Sequence, residues 1–159
     1  MGTSLIRLAT AGDVPVILSL IRDLAGYEKA GHEVVATESD LAAALFGIDQ
    51  DGIAPVATCH VAELDGQVVG FALWFCNFST WLGRPGIYLE DLFVRPQARG
   101  HGLGKALLLR LVELARERGY GRVEWSVLDW NEPAIGFYRA LGAAPNDEWT
   151  TWRLTLDRA

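Results

Sequence analysis

Cysteine is scarce in this chain, two in 159 residues, and that excludes a disulfide-stapled scaffold. Both cysteines, Cys59 and Cys76, fall in apolar strand-like runs, where a thiol behaves as a small buried hydrophobe. Long hydrophobic runs are missing too: none approaches the roughly 18 residues of a membrane-spanning helix. The opening residues show no basic stretch leading into an apolar one, so the expectation is a cytoplasmic protein with no membrane partner. Basic charge is in deficit, with 14 Lys and Arg against 20 Asp and Glu and a net charge of -6. That balance lacks the broad basic surface on which duplex binding rests, and no nucleic-acid partner is expected. It is compatible with a cationic substrate. The three histidines, His32, His60 and His101, are far apart and have no companion pattern of Cys or Asp, so no metal site is expected.

What the chain does have is apolar residue, at 50% of the total, enough for one domain over residues 1–159 with a real core. Residues 5–10 read as a first strand, and Thr10 with Asp13 suits a capping box. Residues 14–28 place Val14, Ile17, Leu18, Ile21, Leu24 and Ala25 at helical spacing. A second short helix starts at Thr37 or Ser39 and ends near Gly47. Residues 56–64 and 67–78 are joined by Asp65-Gly66, the strongest hairpin signal present. Further strands are expected over 87–94, over 122–128 and, from the alternation in "EWTTWRLTL", at the end of the chain. Helices follow at Leu103 and at Asn131, the latter with Asn131 as cap and Pro133 in its first turn. The class is α/β (α+β), with a mixed sheet.

The stretch "YLEDLFVRPQARGHGLGKALL" carries the chemistry. Arg99-Gly100-His101-Gly102-Leu103-Gly104-Lys105 lies between a strand and a helix. Alternating glycines let backbone N–H groups converge on an anion at a helix start, and Arg99 and Lys105 add charge. The expected ligand is a phosphate, most simply a diphosphate. Gly104-Lys105-Ala106 lacks the Ser or Thr of a Walker loop, and the intervening "RPQAR" spoils a dinucleotide fingerprint. Just upstream, Glu90 and Asp91 interrupt an apolar strand. Neighbours in a strand point to opposite faces, so the two cannot act as one carboxylate pair unless a bulge intervenes.

"RGHGLGKALL" resembles the acetyl-coenzyme A loop of the GNAT N-acetyltransferases, with Arg99, Gly102 and Gly104 at the positions of the pattern Arg/Gln-x-x-Gly-x-Gly/Ala. "LAGYEK", "FSTWLG", "YLEDLFV", "EWSVLDWNEPAIGFY" and "ALGA" follow the diamine acetyltransferase branch in order, which includes the spermidine/spermine N1-acetyltransferases and thialysine Nε-acetyltransferases. The resemblance implies a twisted sheet of six to seven strands, splayed between the fourth and fifth and flanked by about four helices. It implies acetyl-CoA as co-substrate, no metal, and a homodimer with substrate residues near its interface. Leu92, Phe93 and Val94 would meet the pantetheine arm and Gly100 to Lys105, including His101 and Leu103, the diphosphate. Asn131, Pro133 and Ala134 would line the other side. Tyr138 is the implied general acid beside the sulfur, Glu90 the proton acceptor near the amine, and Asp91 a substrate or structural contact. Arg99 either binds phosphate or caps the loop.

Glu28 and Glu33 match positions that hold the far part of a polycation. Where the spermidine branch carries an acid, this chain has Ser79. Loss of that carboxylate shifts the expectation toward a lysine-like amine with a free carboxylate, such as thialysine, which Ser79 and Thr80 would meet. Trp81 offers an ammonium a π face. Other readings stay open: a polyamine or protein-lysine acetyltransferase with the same donor site, and a coenzyme A sensor without turnover.

Overall fold

The computed structural model describes residues 2–47, 52 and 55–157, and the chain forms two compact units, Met1–Ser126 and Val127–Ala159. The first unit holds a five-stranded sheet in the order β1-β2-β3-β4-β5. Its strands are β1 (Ser4–Leu8), β2 (Thr58–Leu64), β3 (Gln67–Ser79), β4 (Arg84–Val94) and β5 (Val123–Trp125). The first four are antiparallel and β5 runs parallel to β4, an arrangement that needs the helical crossover α3 (Leu103–Glu117). The β2–β3 turn is the expected one: Asp65 and Gly66 both have positive φ, 51° and 79°, as a two-residue hairpin turn of the primed type demands.

Helices α1 (Val14–Tyr27) and α2 (Glu38–Phe46) cover one face of the sheet. Their apolar positions Val14, Ile17, Leu18, Leu20, Leu41 and Leu45 pack with Cys59, Val61, Phe71 and Phe93 in one buried cluster. Thr37, rather than Ser39, caps α2; it accepts from the Asp40 N–H at 3.2 Å, and its own N–H donates to the Asp40 carboxylate at 2.8 Å. The Asp13 carboxylate likewise receives the Thr10 N–H at 2.8 Å and pairs with Arg7 at 2.7 Å, which holds its pKa down to about 2. Alternation along the strands sends Ala72, Trp74 and Leu89 to the opposite face, where α3 buries Leu103, Leu107, Leu108, Leu111 and Ala115.

Two expectations are corrected. The strand expected over 122–128 pairs only as Val123–Trp125. No strand forms over 148–156: the second unit contains α4 (Glu132–Ala140) and, after it, no element among the described residues. The sheet therefore has five strands among the described residues instead of six or seven. Alternation marks a segment that can present one apolar face, but a strand exists only where a neighbour supplies the ladder. Trp152, Leu154 and Leu156 keep that alternation and are 80–92% exposed.

His60 on β2 is 4% exposed and accepts the Trp74 indole N–H at Nδ1, 3.1 Å away. Burial, reinforced by Arg110 of α3 and by Arg118 just past its end, pushes its pKa down to about 4. The folded state thus prefers neutral His60, so the stability it confers is complete above the unfolded value near 6.5 and lost as pH falls toward 4. Chemical denaturation should show about 2–3 kcal/mol lost over that window, followed by a separate loss between pH 4 and 2 as Asp13 protonates. His60→Gln, which keeps an acceptor for Trp74, should abolish the upper step and leave the lower one; persistence of both steps contradicts this account.

Candidate active site

The site grows from an irregularity in β4. Leu73 pairs with Asp91 and the next residue, Trp74, pairs with Leu89. Glu90 is thus an extra residue, a β-bulge. Without it Asp91 would fall on the α3 face. With it, Asp91 joins Leu73 and Phe93 on the face that carries α1 and α2. The bulge separately leaves Glu90 exposed beside it. The condition set by the sequence is met: the two neighbouring carboxylates act on each other.

Glu28, directly after α1, completes the cluster. Burial first, and then the charges of Glu90 and Glu28, together raise the Asp91 pKa to about 6. Burial also lifts Glu28 above the ordinary carboxylate range. Burial and like charge are what raise Asp91, and a cation placed against these acids would relieve both the desolvation and the mutual repulsion. Cys59 lies on this face too, but burial and the charges of Asp13 and Asp91 push its thiol up to about 12, so it is no nucleophile.

Within the first unit, pairing of β4 with β5 covers only Ile87, Tyr88 and Leu89, so the ladder on that margin ends before Glu90. The Arg95 N–H bonds to the Val69 carbonyl of β3 at 2.9 Å. By ladder alternation Phe93 also faces β3, and Leu92 and Val94 turn their backbone groups away from β3.

Past Val94 the chain makes a short turn over Pro96–Ala98 and enters α3 through Arg99, Gly100, His101 and Gly102. Gly100 and Gly102 have φ of 86° and 72°, and a Cβ at either would meet nothing within 4 Å. Backbone conformation, not crowding, requires glycine there. No side chain caps α3. Its first internal bond runs from the Ala106 N–H to the Gly102 carbonyl at 2.9 Å, so the N–H groups of Leu103, Gly104 and Lys105 lie at the helix's positive end. This geometry fits a diphosphate. Two side chains of the loop turn elsewhere. The His101 ring sits on the Ala98 carbonyl at 3.1 Å. Arg99 donates Nε–H to the Val94 carbonyl at 3.1 Å and lays its guanidinium over the rings of Tyr27 and Phe93.

The remaining sequence candidates are dispersed. Glu33, in the turn Gly31–Glu33, has its side chain 74% exposed, 3.9 Å from His32. Ser79 is buried in the β3–β4 turn, where its hydroxyl accepts the Leu82 N–H at 3.1 Å. Thr80 and Trp81 are exposed beside it. Ser79 pairs with Arg84, seven residues along β4 from Asp91 and hence roughly 23 Å away at strand rise. The turn and the acid cluster of one chain cannot share a small amine. In the second unit Asn131 caps α4, accepting the Ala134 N–H at 3.4 Å, with Pro133 in the first turn and Tyr138 half-buried beside Phe137 at a ring distance of 5.4 Å. Sequence reading left open the bulge and the direction of the Arg99 side chain. Neither has a local signal, since one is a matter of pairing register and the other of tertiary stacking.

The pattern of the acetyltransferase (GNAT) family matches residues 24–143. A thialysine N-epsilon-acetyltransferase of Bos taurus is 40% identical, the match covering 96% of this chain and 91% of that protein. An L-ornithine N5-acetyltransferase of Arabidopsis thaliana is 36% identical, covering 97% and 85%. Among solved structures, an integron cassette protein of V. cholerae shares the fold, with a TM-score of 0.77 at 24% identity over 97% of this chain and 93% of that one.

The raised pKa of Asp91 has a sign that can be measured. Its folded value, about 6, lies above the reference 3.8, so ionisation withdraws stability as pH rises through that interval and the full penalty stands above pH 6. Asp91→Asn removes the ionisable group at nearly constant shape. It should raise the melting temperature at pH 8 by several degrees, corresponding to at most about 3 kcal/mol, and change it little at pH 4. A lower melting temperature at pH 8 would show instead that the charged Asp91 is paired.

Proposed function

Since the chain belongs to the acetyltransferase (GNAT) family, we propose that this enzyme moves the acetyl group of acetyl-CoA to the terminal amine of a lysine-like amino acid, with thialysine the preferred acceptor. The observation that carries the reading is the cluster of Glu28, Glu90 and Asp91 where the β4–β5 ladder ends. It is supported by relatives whose names specify thialysine and L-ornithine, both amino acids with a second, terminal amine. The family match crosses from the first unit into the second, which supports one acetyltransferase domain over the whole chain.

Acetyl-CoA supplies an activated thioester. Leu92 and Val94 would meet its arm along the margin of β4 past the end of that ladder, and the amides from Gly100 to Lys105 its diphosphate. The acid cluster would hold the incoming ammonium; Glu90, the exposed member, would take the proton that the amine must lose before it attacks the carbonyl carbon. As the new C–N bond forms and the C–S bond breaks, Tyr138 would return a proton to the departing sulfur. The reference phenol pKa, near 10, is the reason a tyrosine suits that role. The three clustered acids also favour a second reading, a diamine or polyamine acceptor, since they recognise an ammonium whatever the rest of the molecule carries.

A homodimer accompanies this reading. Phe78, Trp81 and Leu82 are 52–87% exposed around one hairpin tip, an apolar group that a second copy would cover. Cys59 and Cys76 are both free thiols, which suits the cytoplasm.

A steady-state screen with acetyl-CoA against thialysine, lysine, putrescine, spermidine and a histone-like peptide is expected to give the highest kcat/KM for thialysine; a clear preference for spermidine selects the second reading. Tyr138→Phe should lower kcat by about 10²-fold or more while the coenzyme A affinity, measured by calorimetry, stays within a factor of two or so. Unchanged turnover removes Tyr138 from the mechanism.

A further inference from the structure

Three residues of α1, Ser19, Asp23 and Tyr27, lie four apart and so form one stripe along the helix. The segment that joins β4 to α3 grips this stripe twice. Arg95 donates Nε–H to Asp23 at 3.2 Å and a terminal N–H to Ser19 at 3.0 Å. Four residues on, past the turn Pro96–Ala98, Arg99 lays its guanidinium over the Tyr27 ring, 5.6 Å from the centroid. Arg99 is anchored on β4 as well: its Nε–H meets the Val94 carbonyl at 3.1 Å, and its guanidinium lies 5.7 Å from the Phe93 centroid. The two grips differ in kind. Arg95 holds the middle of α1 by charge and hydrogen bonds. Arg99 holds the last turn of α1 by a stack on a tyrosine that is 40% exposed.

Each side of that stack leads to a different substrate. Arg99 is followed at once by the loop that Gly100 and Gly102 shape through their positive φ, so its hold on Tyr27 and Val94 sets where the loop begins. Tyr27 is followed at once by Glu28. The Glu28 N–H donates to the Leu24 carbonyl at 2.9 Å, so its backbone still belongs to the last turn of α1 and moves with Tyr27. At Lys29 the chain turns away, with φ of 62°. Glu28 is in turn one of the two acids whose charge acts on Asp91. An unbroken path of bonds and contacts thus runs from the diphosphate loop through Arg99 and Tyr27 to Glu28, all of it in the first unit.

We propose that Tyr27 is a positioning residue shared by the two substrate sites: through Arg99 it steadies the loop that receives the cofactor's diphosphate, through the end of α1 it steadies Glu28, and so coenzyme A and the amine each bind more tightly when the other is present. The inference rests on the reading that Glu28, Glu90 and Asp91 hold the amine. It applies equally to an amine that carries a carboxylate and to one that carries a second ammonium, because Tyr27 acts through Glu28 and touches neither substrate. A ligand on the loop fixes Arg99 and with it the ring that Arg99 covers, so part of the ordering that the amine requires of Glu28 is already made. The effect runs both ways by thermodynamic linkage. A cation over an aromatic face at an exposed site changes an equilibrium about two- to fivefold, which sets the size of the coupling this stack can carry. The ring of Tyr27, rather than its hydroxyl, carries it.

The test is titration calorimetry on the whole chain with thialysine and with coenzyme A, which carries no acyl group and cannot react. The Kd of thialysine is measured without and with saturating coenzyme A, and the ratio of the two values is the readout. For wild type that ratio should be about two to five. Tyr27→Leu should bring it close to one, whereas Tyr27→Phe, which keeps the ring, should leave it at the wild-type value. Arg99→Gln should also bring it close to one, with no further change when the two substitutions are combined. A wild-type ratio of one overturns the proposal. So does a Tyr27→Leu protein that binds both ligands more weakly at an unchanged ratio, which is the behaviour of a plain packing residue, or a Tyr27→Phe protein that loses the ratio, which places the effect in the hydroxyl. If a melting curve shows that Tyr27→Leu does not fold, Arg99→Gln, a change at an exposed side chain, decides alone. If spermidine proves the better acceptor, the same ratio is read with spermidine. Glu28→Gln separates the coupling from the reading beneath it. Where it leaves the affinity for the amine unchanged, the acid-cluster reading fails and the coupling falls with it; where it weakens the amine while Tyr27→Leu keeps the ratio, only the role of Tyr27 fails.

Discussion

The ladder between β3 and β4 must absorb one more residue on β4 than on β3, and it does so at Glu90. Much of the site follows from that single mismatch. A residue inserted into a strand reverses the facing of everything beyond it. Here the reversal carries Asp91 and Phe93 to the α1 face and leaves Leu92 and Val94 against α3. The same stretch is where β5 stops pairing, so the carboxylates lie just past the end of that ladder. Burying acids is costly unless a partner arrives, and the raised pKa of Asp91 records that cost in the substrate-free protein. A cationic acceptor supplies the missing partner.

Opposite requirements meet at the end of β4. The amides at the start of α3 and in the glycine loop favour negative charge, whereas the acid cluster favours positive charge. A reaction between an anionic donor and a cationic acceptor needs both, on different sides of one strand. The strand separates them by its alternation: the margin toward β5 and α3 is lined by backbone polar groups, the α1 face by carboxylates. Arg99 lies in the loop that belongs to the first side but sends its side chain to the second. Its engagement with Val94, Tyr27 and Phe93 ties the loop to α1 and β4.

The core that supports this arrangement is ordinary in composition and strict in placement. Apolar stripes on α1 and α2 pack on Cys59, Val61, Phe71 and Phe93, and α3 closes the other face with its leucines. His60, buried in the sheet, is kept neutral by burial and by Arg110 and Arg118 and serves as acceptor for Trp74. Asp13 is paired and His60 and Cys59 are uncharged, whereas Asp91 has the like charges of Glu90 and Glu28 as neighbours.

Local pattern alone determined much of this protein. Helical spacing gave α1 and α3, Asp65-Gly66 gave the hairpin, and Thr10 with Asp13 gave the first helix start, because each of these is a matter of residues within a few positions of one another. The positive-φ glycines before α3 were legible for the same reason. The tertiary structure decided what depends on partners. Whether the alternating segment at the end of the chain became a strand hung on a neighbouring ladder. Whether Glu90 and Asp91 could work together hung on the count of residues across β3 and β4. Whether Ser79 could reach the acids hung on the length of β4, and where the Arg99 guanidinium pointed hung on two rings brought from distant parts of the chain. Composition and spacing carry short-range constraints; register, reach and side-chain direction are settled only when separate segments pack against one another.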